Sequence, residues 1–376
     1  MRGCLPRSPS FAYTDLVMHT RRAAAGIGLC LLGLTTVGCF LSRVPPEAVL
    51  VVEKLDAATF RFSALDSTDP DGAIVSTTWD FGDGTVEAGL VCVHTYEDPG
   101  EYAVTVELTD DDGLTAQAET AVTAHREIRV PEDYATIQAA IDAASDGDTI
   151  TLAAQTFHEY VRFDGKAITV RGESQTGTTL EWPGLDVGPE PTSIVTFDDG
   201  ETRDSVLENL TIQGGAWTLF EAGAIRIVEA SPTIRECIIS SHGATFGGAV
   251  SARESGALFE GNRFLNNRAT IDGGAVYALG KAVFPDFVDN EFDGNMAAAG
   301  GAICLRPLEG AGIAADADLS TIRGNVFSSS QAIGSPATVA LRGGAIHVGI
   351  GVRVILGDNE FIGNSPNDIV YEDTNL

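Results

Sequence analysis

The sequence predicts an all-β chain in two parts: a small β-sandwich, then a right-handed parallel β-helix that opens with a capping helix. Three observations carry this reading. A Gly-Ala-[Ile/Val] triplet recurs at Gly223, Gly248, Gly274, Gly301 and Gly344, with successive offsets of 25, 26, 27 and 43 residues. An Asn-x-Phe signature recurs at Asn262/Phe264, Asn290/Phe292, Asn325/Phe327 and Asn359/Phe361, with Glu236/Ile238 as a weaker earlier copy. Ahead of the repeats, short runs such as Phe60-Arg61-Phe62 are separated by turn clusters such as Asp69-Pro70-Asp71-Gly72 and Asp110-Asp111-Asp112-Gly113. Short β runs at a period near 25 residues, with Gly and Asn turns, give one coil per repeat. Short strands between regular turn signals give a sandwich.

Composition narrows the function classes. The chain has 376 residues, with 53 acidic against 23 basic side chains and a formal net charge of -30. Nucleic acid and anionic membrane surfaces both demand basic patches, so they are excluded as partners. The charge is compatible with calcium or with simple solubility. The 42 glycines follow no three-residue period and indicate turns. Cys4, Cys30 and Cys39 lie in or beside an export signal, whereas Cys92, Cys237 and Cys304 are scattered without metal-ligand spacing and read as isolated thiols.

The first 38 residues are an address. Met1 to Val17 look like an upstream extension, and a cleaner signal begins at Met18. Arg21 and Arg22 precede the apolar run Ala23 to Val37, which is too short for a membrane span. The run ends in Leu34-Thr35-Thr36-Val37-Gly38-Cys39, which resembles a bacterial lipobox, although Thr36 departs from the usual Leu. The resemblance implies that Cys39 receives a diacylglycerol, that 39–45 is a tether, and that the membrane is met through this lipid alone. Phe40-Leu41, lacking a retention Asp, favours the outer membrane or cell surface.

The next segment, 46–124, carries Trp79-Asp80-Phe81-Gly82-Asp83-Gly84, then His94-Thr95-Tyr96, then Pro99-Gly100-Glu101-Tyr102. These residues resemble a PKD domain, an immunoglobulin-like module. The resemblance implies a spacer or adhesive, carbohydrate-associated unit. Trp79 is the expected core aromatic. Asp66, Asp69 and Asp71 are candidate ligands for calcium, against the plainer reading of turn-forming aspartates.

The remainder, 125–376, begins with Tyr134 to Ala144, where Ile137, Ala140, Ile141 and Ala144 share one helical face and Asp133 or Thr136 caps the start. With the strands Thr149 to Leu152 and Ala167 to Gly172, this resembles the first turn of a pectin-lyase-like β-helix. In that family a helix covers the open end of the coil, which otherwise exposes core and strand edges. The long offset of 43 is assigned to an insertion around Ser328 to Leu341.

Within each rung, offsets two and four from the Gly are apolar and face inward, so offset three faces outward. That outward position holds Arg226, Ser251, Tyr277, Cys304 and His347, and offset five adds Arg253 and Arg306. Arginine forks suit carboxylates and Tyr277 suits a sugar ring, so Arg226, Arg253, Tyr277, Arg306 and His347 are the candidate site for a polysaccharide or cell-surface glycan of acidic type. The alternative is a solvated face with the arginines paired to Glu229 or Glu254. Enzymes of this fold need more. His242-Gly243 lacks the aspartate runs of a polygalacturonase, and Phe157 to Val161 resembles only a structural strand of pectin esterases. A lyase would draw on Asp272, Glu221 and the arginines. A purely structural envelope protein is the third reading.

Overall fold

The computed structural model describes residues 43–184, 193–214, 223–308, 319–333 and 343–372. Cys39 and its surroundings, Glu221, and the whole segment Ser335 to Leu341 therefore lie outside the described residues. The chain divides into two compact units between Ala124 and His125.

The first unit is a β-sandwich of two antiparallel sheets. One holds Val51–Lys54, Thr59–Ser63 and Val91–Thr95; the other holds Ile74–Asp80, Val86–Ala88, Gly100–Asp110 and Thr115–Ala124. Alternate residues point inward, and Phe62, Trp79, Phe81, Val104, Val106 and Leu108 form its fully buried core. The motif residues have distinct tasks. Trp79 is buried and donates its indole N–H to Gly89 O at 2.7 Å. Phe81 stacks on the His94 ring at 4.2 Å, and His94 Nε2 meets Asp83 Oδ2 at 2.7 Å. Tyr96 donates its hydroxyl to Phe81 O at 2.9 Å. Gly82 has φ +80°, and a Cβ there would stand 2.5 Å from Ala103 O.

The second unit is a parallel β-helix. Each full rung runs through four parallel sheets in turn. Sheet 1 stacks nine strands from Glu127–Val130 to Val354–Gly357, and sheet 2 stacks eight from Thr156–Phe157 to Glu360–Ile362. Sheet 3 holds Gly243–Phe246, Arg268–Asp272, Met296–Ala297 and Gln331–Ala332. Sheet 4 stacks eight strands from Val161–Arg162 to Ile369–Tyr371.

Two corners of the rung are built alike. Between sheets 1 and 2 a single left-handed residue makes the bend: Asn209, Glu236, Gly261, Asp289, Gly324 or Asp358. In the later rungs the next residue turns inward as a buried amide. Asn262 Nδ2 donates to Ile234 O at 2.7 Å, Asn290 to Phe259 O at 2.9 Å and Asn325 to Phe287 O at 2.9 Å. The backbone N–H of Asn262 in turn donates to Asn290 Oδ1 at 2.9 Å, and so on up the stack. The register pairs Ile239 with Phe264, so the earlier copy of the signature is Cys237/Ile239 and not Glu236/Ile238. The rings stack inside the coil: Phe264, Phe292, Phe327 and Phe361 follow one another at 4.7, 4.8 and 5.1 Å.

The corner between sheets 2 and 3 repeats the device, unforeseen from the sequence. Asn267, Asn295 and Asn364 follow left-handed Asn266, Gly294 and Gly363 and donate to Ile239 O, Phe264 O and Phe327 O at 2.9, 2.8 and 3.0 Å. His242 holds the same place one rung earlier, with Nε2 donating to Ile212 O at 3.0 Å. Gly-Gly marks the corner between sheets 3 and 4, where backbones of successive rungs nearly touch. A Cβ on Gly274 would collide with Gly301 O and Met296 N.

Only part of the insertion is where the offsets placed it. Val326–Ser328 pairs in register with Glu291–Asp293, so Ser328 belongs to a rung. The extra residues divide between the stretch after Pro307 and the stretch after Ala332.

The helix Ile137–Ala143 lies at the first rung, with Ile137, Ala140 and Ile141 buried. Thr136 is its N-cap, accepting Ala139 N, while Asp133 accepts Arg129 N instead. Glu159 takes the N–H groups of Ile137 and Gln138, and Lys166 Nζ donates to the carbonyls of Ile141, Asp142 and Ala144. Opposite charges thus meet both ends of the helix dipole. Gln138 stands in for a strand: its amide donates to Arg162 O at 3.2 Å and accepts Arg162 N at 2.9 Å.

His242 makes the stack acid-sensitive. Burial lowers its pKa to about 4 from 6.5, only partly offset by the bond to Ile212 O. Below 6.5 the unfolded chain binds a proton that the native ring refuses, so stability falls as pH drops towards 4. The linkage amounts to about 2 kcal/mol between pH 7 and pH 5. We predict that His242→Asn, which restores the amide of the later rungs, removes this part of the loss. Urea denaturation at both pH values measures it, and equal losses in the two proteins would contradict the assignment.

Candidate ligand-binding face

Strand register aligns one outward column on sheet 4: Arg162, Thr196, Arg226, Ser251, Tyr277, Cys304, His347 and Val370. The inward neighbours Ile225, Val250, Val276, Ile303 and Ile346 are fully buried. Outward here does not mean exposed: Ser251, Tyr277, Cys304 and His347 are all buried.

The five candidate ligand residues divide accordingly. Arg226 Nη1 donates to Asp198 Oδ2 at 2.9 Å, and Arg162 holds the other oxygen of Asp198 at 2.9 Å. Arg253 is exposed and has no ion pair among the described residues. Tyr277 lies 5.0 Å from the Phe246 ring of sheet 3, so it is packed at the corner rather than standing free. Arg306 and His347 are drawn into one cluster. Neither Glu229 nor Glu254 pairs with these arginines; Glu254 accepts Lys281 N instead.

That cluster bridges sheets 3 and 4. Arg306 Nε donates to Asp272 Oδ2 at 2.7 Å, and its Nη1 donates to Glu372 Oε1 at 2.8 Å. His347 Nε2 reaches the same Glu372 oxygen at 2.9 Å. Since a carboxylate accepts, Nε2 carries the proton and Nδ1 is a bare acceptor. Nδ1 is buried and has no hydrogen-bond partner among the described residues. Burial lowers the His347 pKa, outweighing the bond to Glu372, and the Arg306 charge adds to the effect. Burial alone would raise the Glu372 carboxyl, but Arg306 and His347 hold it below the usual range. Burial would lower the Arg306 guanidinium, yet Asp272 and Glu372 keep it charged. Cys304 sits beneath this cluster with its thiol pushed far up by burial and by Asp272, which makes it a poor nucleophile. Cys237 is pushed up to about 12 by burial, and Cys92, Cys237 and Cys304 are all free thiols.

Glu372 escaped the sequence reading because its rung, Ile369–Tyr371, carries no Gly-Ala triplet. Asp198 was missed because its rung, with Val195–Phe197, carries no Gly-Ala triplet, and Phe246 because it lies on sheet 3.

The proposed calcium trio is dispersed. Asp66 is exposed, Asp69 Oδ1 accepts Asp71 N at 3.3 Å, and Asp71 Oδ2 accepts Val44 N at 3.1 Å. Among the described residues no group of three His, Cys, Asp or Glu side chains is placed to hold a metal ion. Asp69 serves its own turn, whereas Asp71 holds the backbone of Val44.

With this geometry in place, likeness to known proteins can be stated. Residues 43–124 match the PKD domain family, and 263–279 match the Chlamydia polymorphic membrane protein repeat. The first unit is a PKD domain. The second match spans one rung's course from Phe264 through Asn267 to Gly274-Ala275-Val276. A microbial collagenase of Vibrio alginolyticus is 41% identical over 80 residues, 21% of this chain and 10% of that protein. The chain therefore spans only about a tenth of that relative's length. The crystal structure of the PKD1 domain of Vibrio anguillarum Epp is 28% identical, covering 22% of this chain and 96% of that one, with TM-score 0.21. A pectin methylesterase in complex with a hexasaccharide is 11% identical, covering 67% of this chain and 94% of that one, with TM-score 0.35.

Removing the shared cation would strand the buried Asp272 carboxylate and leave the half-buried Glu372 with His347 alone. We predict that Arg306→Met destabilises the coil by about 3 kcal/mol, and that adding Asp272→Asn recovers part of it. Thermal denaturation of the single and double variants checks this; a neutral single variant would show that the cluster is not a structural tie.

Proposed function

We propose that this chain is an exported glycan-binding protein of the bacterial envelope, anchored through a lipid on Cys39. In this reading the PKD domain is a spacer and the outer face of sheet 4 is the recognition surface. One observation carries it. The inward columns stay apolar from rung to rung, whereas the outward column changes chemistry at every rung. Packing alone asks for no such variety, and a surface that reads a ligand does. The lipobox-like sequence before Cys39 and a PKD domain shared with a collagenase support an exported setting.

A lyase reading draws on the same cluster, because Asp272, Glu372, His347 and Arg306 stand together as carboxylates beside basic groups. It is the weaker one: the guanidinium is taken up by both carboxylates, and the free nitrogen of His347 is buried.

Incubating the chain with neutral and acidic polysaccharides, with and without calcium, separates the two. We expect retention on a glycan without new chain ends by mass spectrometry. Unsaturated ends would establish the lyase. For the anchor, Cys39→Ser is expected to move the protein from the membrane fraction to the soluble one, and unchanged fractionation would remove the lipid from the proposal.

A further inference from the structure

The parallel stack has two ends, and they are finished differently. At the first rung the helix Ile137–Ala143 and the Gln138 amide occupy the open edge. At the other end lies the rung Val354–Gly357, Glu360–Ile362 and Ile369–Tyr371. These strands are the outermost of sheets 1, 2 and 4, and their outer edges pair with no strand among the described residues. The inward columns are uncovered here. Leu356 is 38% exposed and Tyr371 54%, whereas Ile322 and Val348, their neighbours one rung back, are fully buried. Phe361 and Ile369 are half-buried above the fully buried Phe327 and Ile346. Outward positions turn apolar as well. Thr321 gives way to Ile355, 49% exposed, and Asp293 and Ser328 give way to Ile362, 50% exposed. A terminal repeat that meets water carries a polar outer face, and an open strand edge is blunted by charge. Val354–Gly357 does neither, and its composition is that of a covered surface.

The charge order of this sheet 1 strand says what covers it. Exposed Arg353 precedes it and exposed Asp358 follows it, and neither has an ion-pair partner among the described residues. An antiparallel strand of the same sequence presents these charges in the opposite order. Residues opposed across an antiparallel pair share a face of the sheet. A two-fold pairing of the strand with itself therefore sets Ile355 against Ile355 or Leu356 against Leu356. In the first register Arg353 faces the partner's Gly357, and in the second the partner's Asn359. Asp358 adjoins both, so two Arg353–Asp358 contacts form either way.

We propose that two copies of this chain join end to end through this rung, with their Val354–Gly357 strands paired antiparallel across a two-fold axis. The pairing gives the open backbone groups of both edges partners and covers Leu356, Phe361, Ile369 and Tyr371 with apolar surface of the other copy. It does not depend on the glycan-binding reading.

Sedimentation equilibrium of the chain carrying Cys39→Ser, so that no lipid can hold copies together, tests this. A dimer is expected in the micromolar range, and a chain still monomeric at about 100 μM overturns the proposal. Ile355→Lys combined with Ile362→Lys should raise the dissociation constant about tenfold, and because both side chains are half exposed the coil itself has little to lose. Arg353→Glu and Asp358→Lys should each weaken the dimer about tenfold, because each sets like charges together at both contacts. An equimolar mixture of these two charge variants should regain the dimer, since both contacts are again of opposite sign. Variants that had merely lost their fold would not be rescued by mixing. A dimer that these substitutions leave intact is joined elsewhere, and a mixture that stays dissociated shows that the strands do not pair antiparallel. Either result overturns the proposal.

Discussion

The coil depends on one small device: a single left-handed residue at a corner, followed by an inward amide that ties its own rung to both neighbours. A parallel stack needs the chain to bend sharply without leaving the freed backbone groups unpaired. The amide of Asn262 meets both needs, giving Nδ2 to Ile234 O and accepting the Cys237 N–H. Repeated in Asn290 and Asn325, it fixes the rung spacing at which Phe292 and Phe327 stack. A buried amide with all its bonds made is specific, since any slip of register would strand donor and acceptor together.

The candidate face inherits its geometry from that spine. Arg306 and Asp272 are distant in sequence and come from different sheets, yet the stacking of neighbouring rungs places them at 2.7 Å. The same closeness spends the charge that made the arginines attractive as ligands. A column of cations in the sequence becomes, once folded, a set of built-in ion pairs with one acceptor left over.

Much of the architecture was readable from the residues because it is written in local, periodic chemistry. The Gly-Ala triplet gave the rungs, the alternation gave the inward and outward columns, and Trp79 to Gly84 with His94 to Tyr96 gave the sandwich. The second amide ladder was hidden because His242 and Ser330 interrupt its Asn pattern, which is spaced from Phe and not from Gly. The one-residue error at Glu236 arose because a left-handed Glu beside Cys237 looked like the amide position. The cluster itself was not readable: Glu372 lies on a rung without the repeat signature, and only the fold brings it to Arg306.

The two sides of a rung tolerate change differently. Five residues separate the inward positions of sheets 1 and 2 in every rung from Leu207/Ile212 to Leu356/Phe361, whereas the stretches bordering sheet 4 vary in length. The amide corners are thus a fixed chassis, and the borders of sheet 4 are sockets that accept inserts without disturbing it. Descendants of this chain could trade one insert for another and remodel their outer surface while keeping every core register. In such a lineage, the surface diverges by loop exchange at the sheet 4 borders while the Asn corners hold the fold.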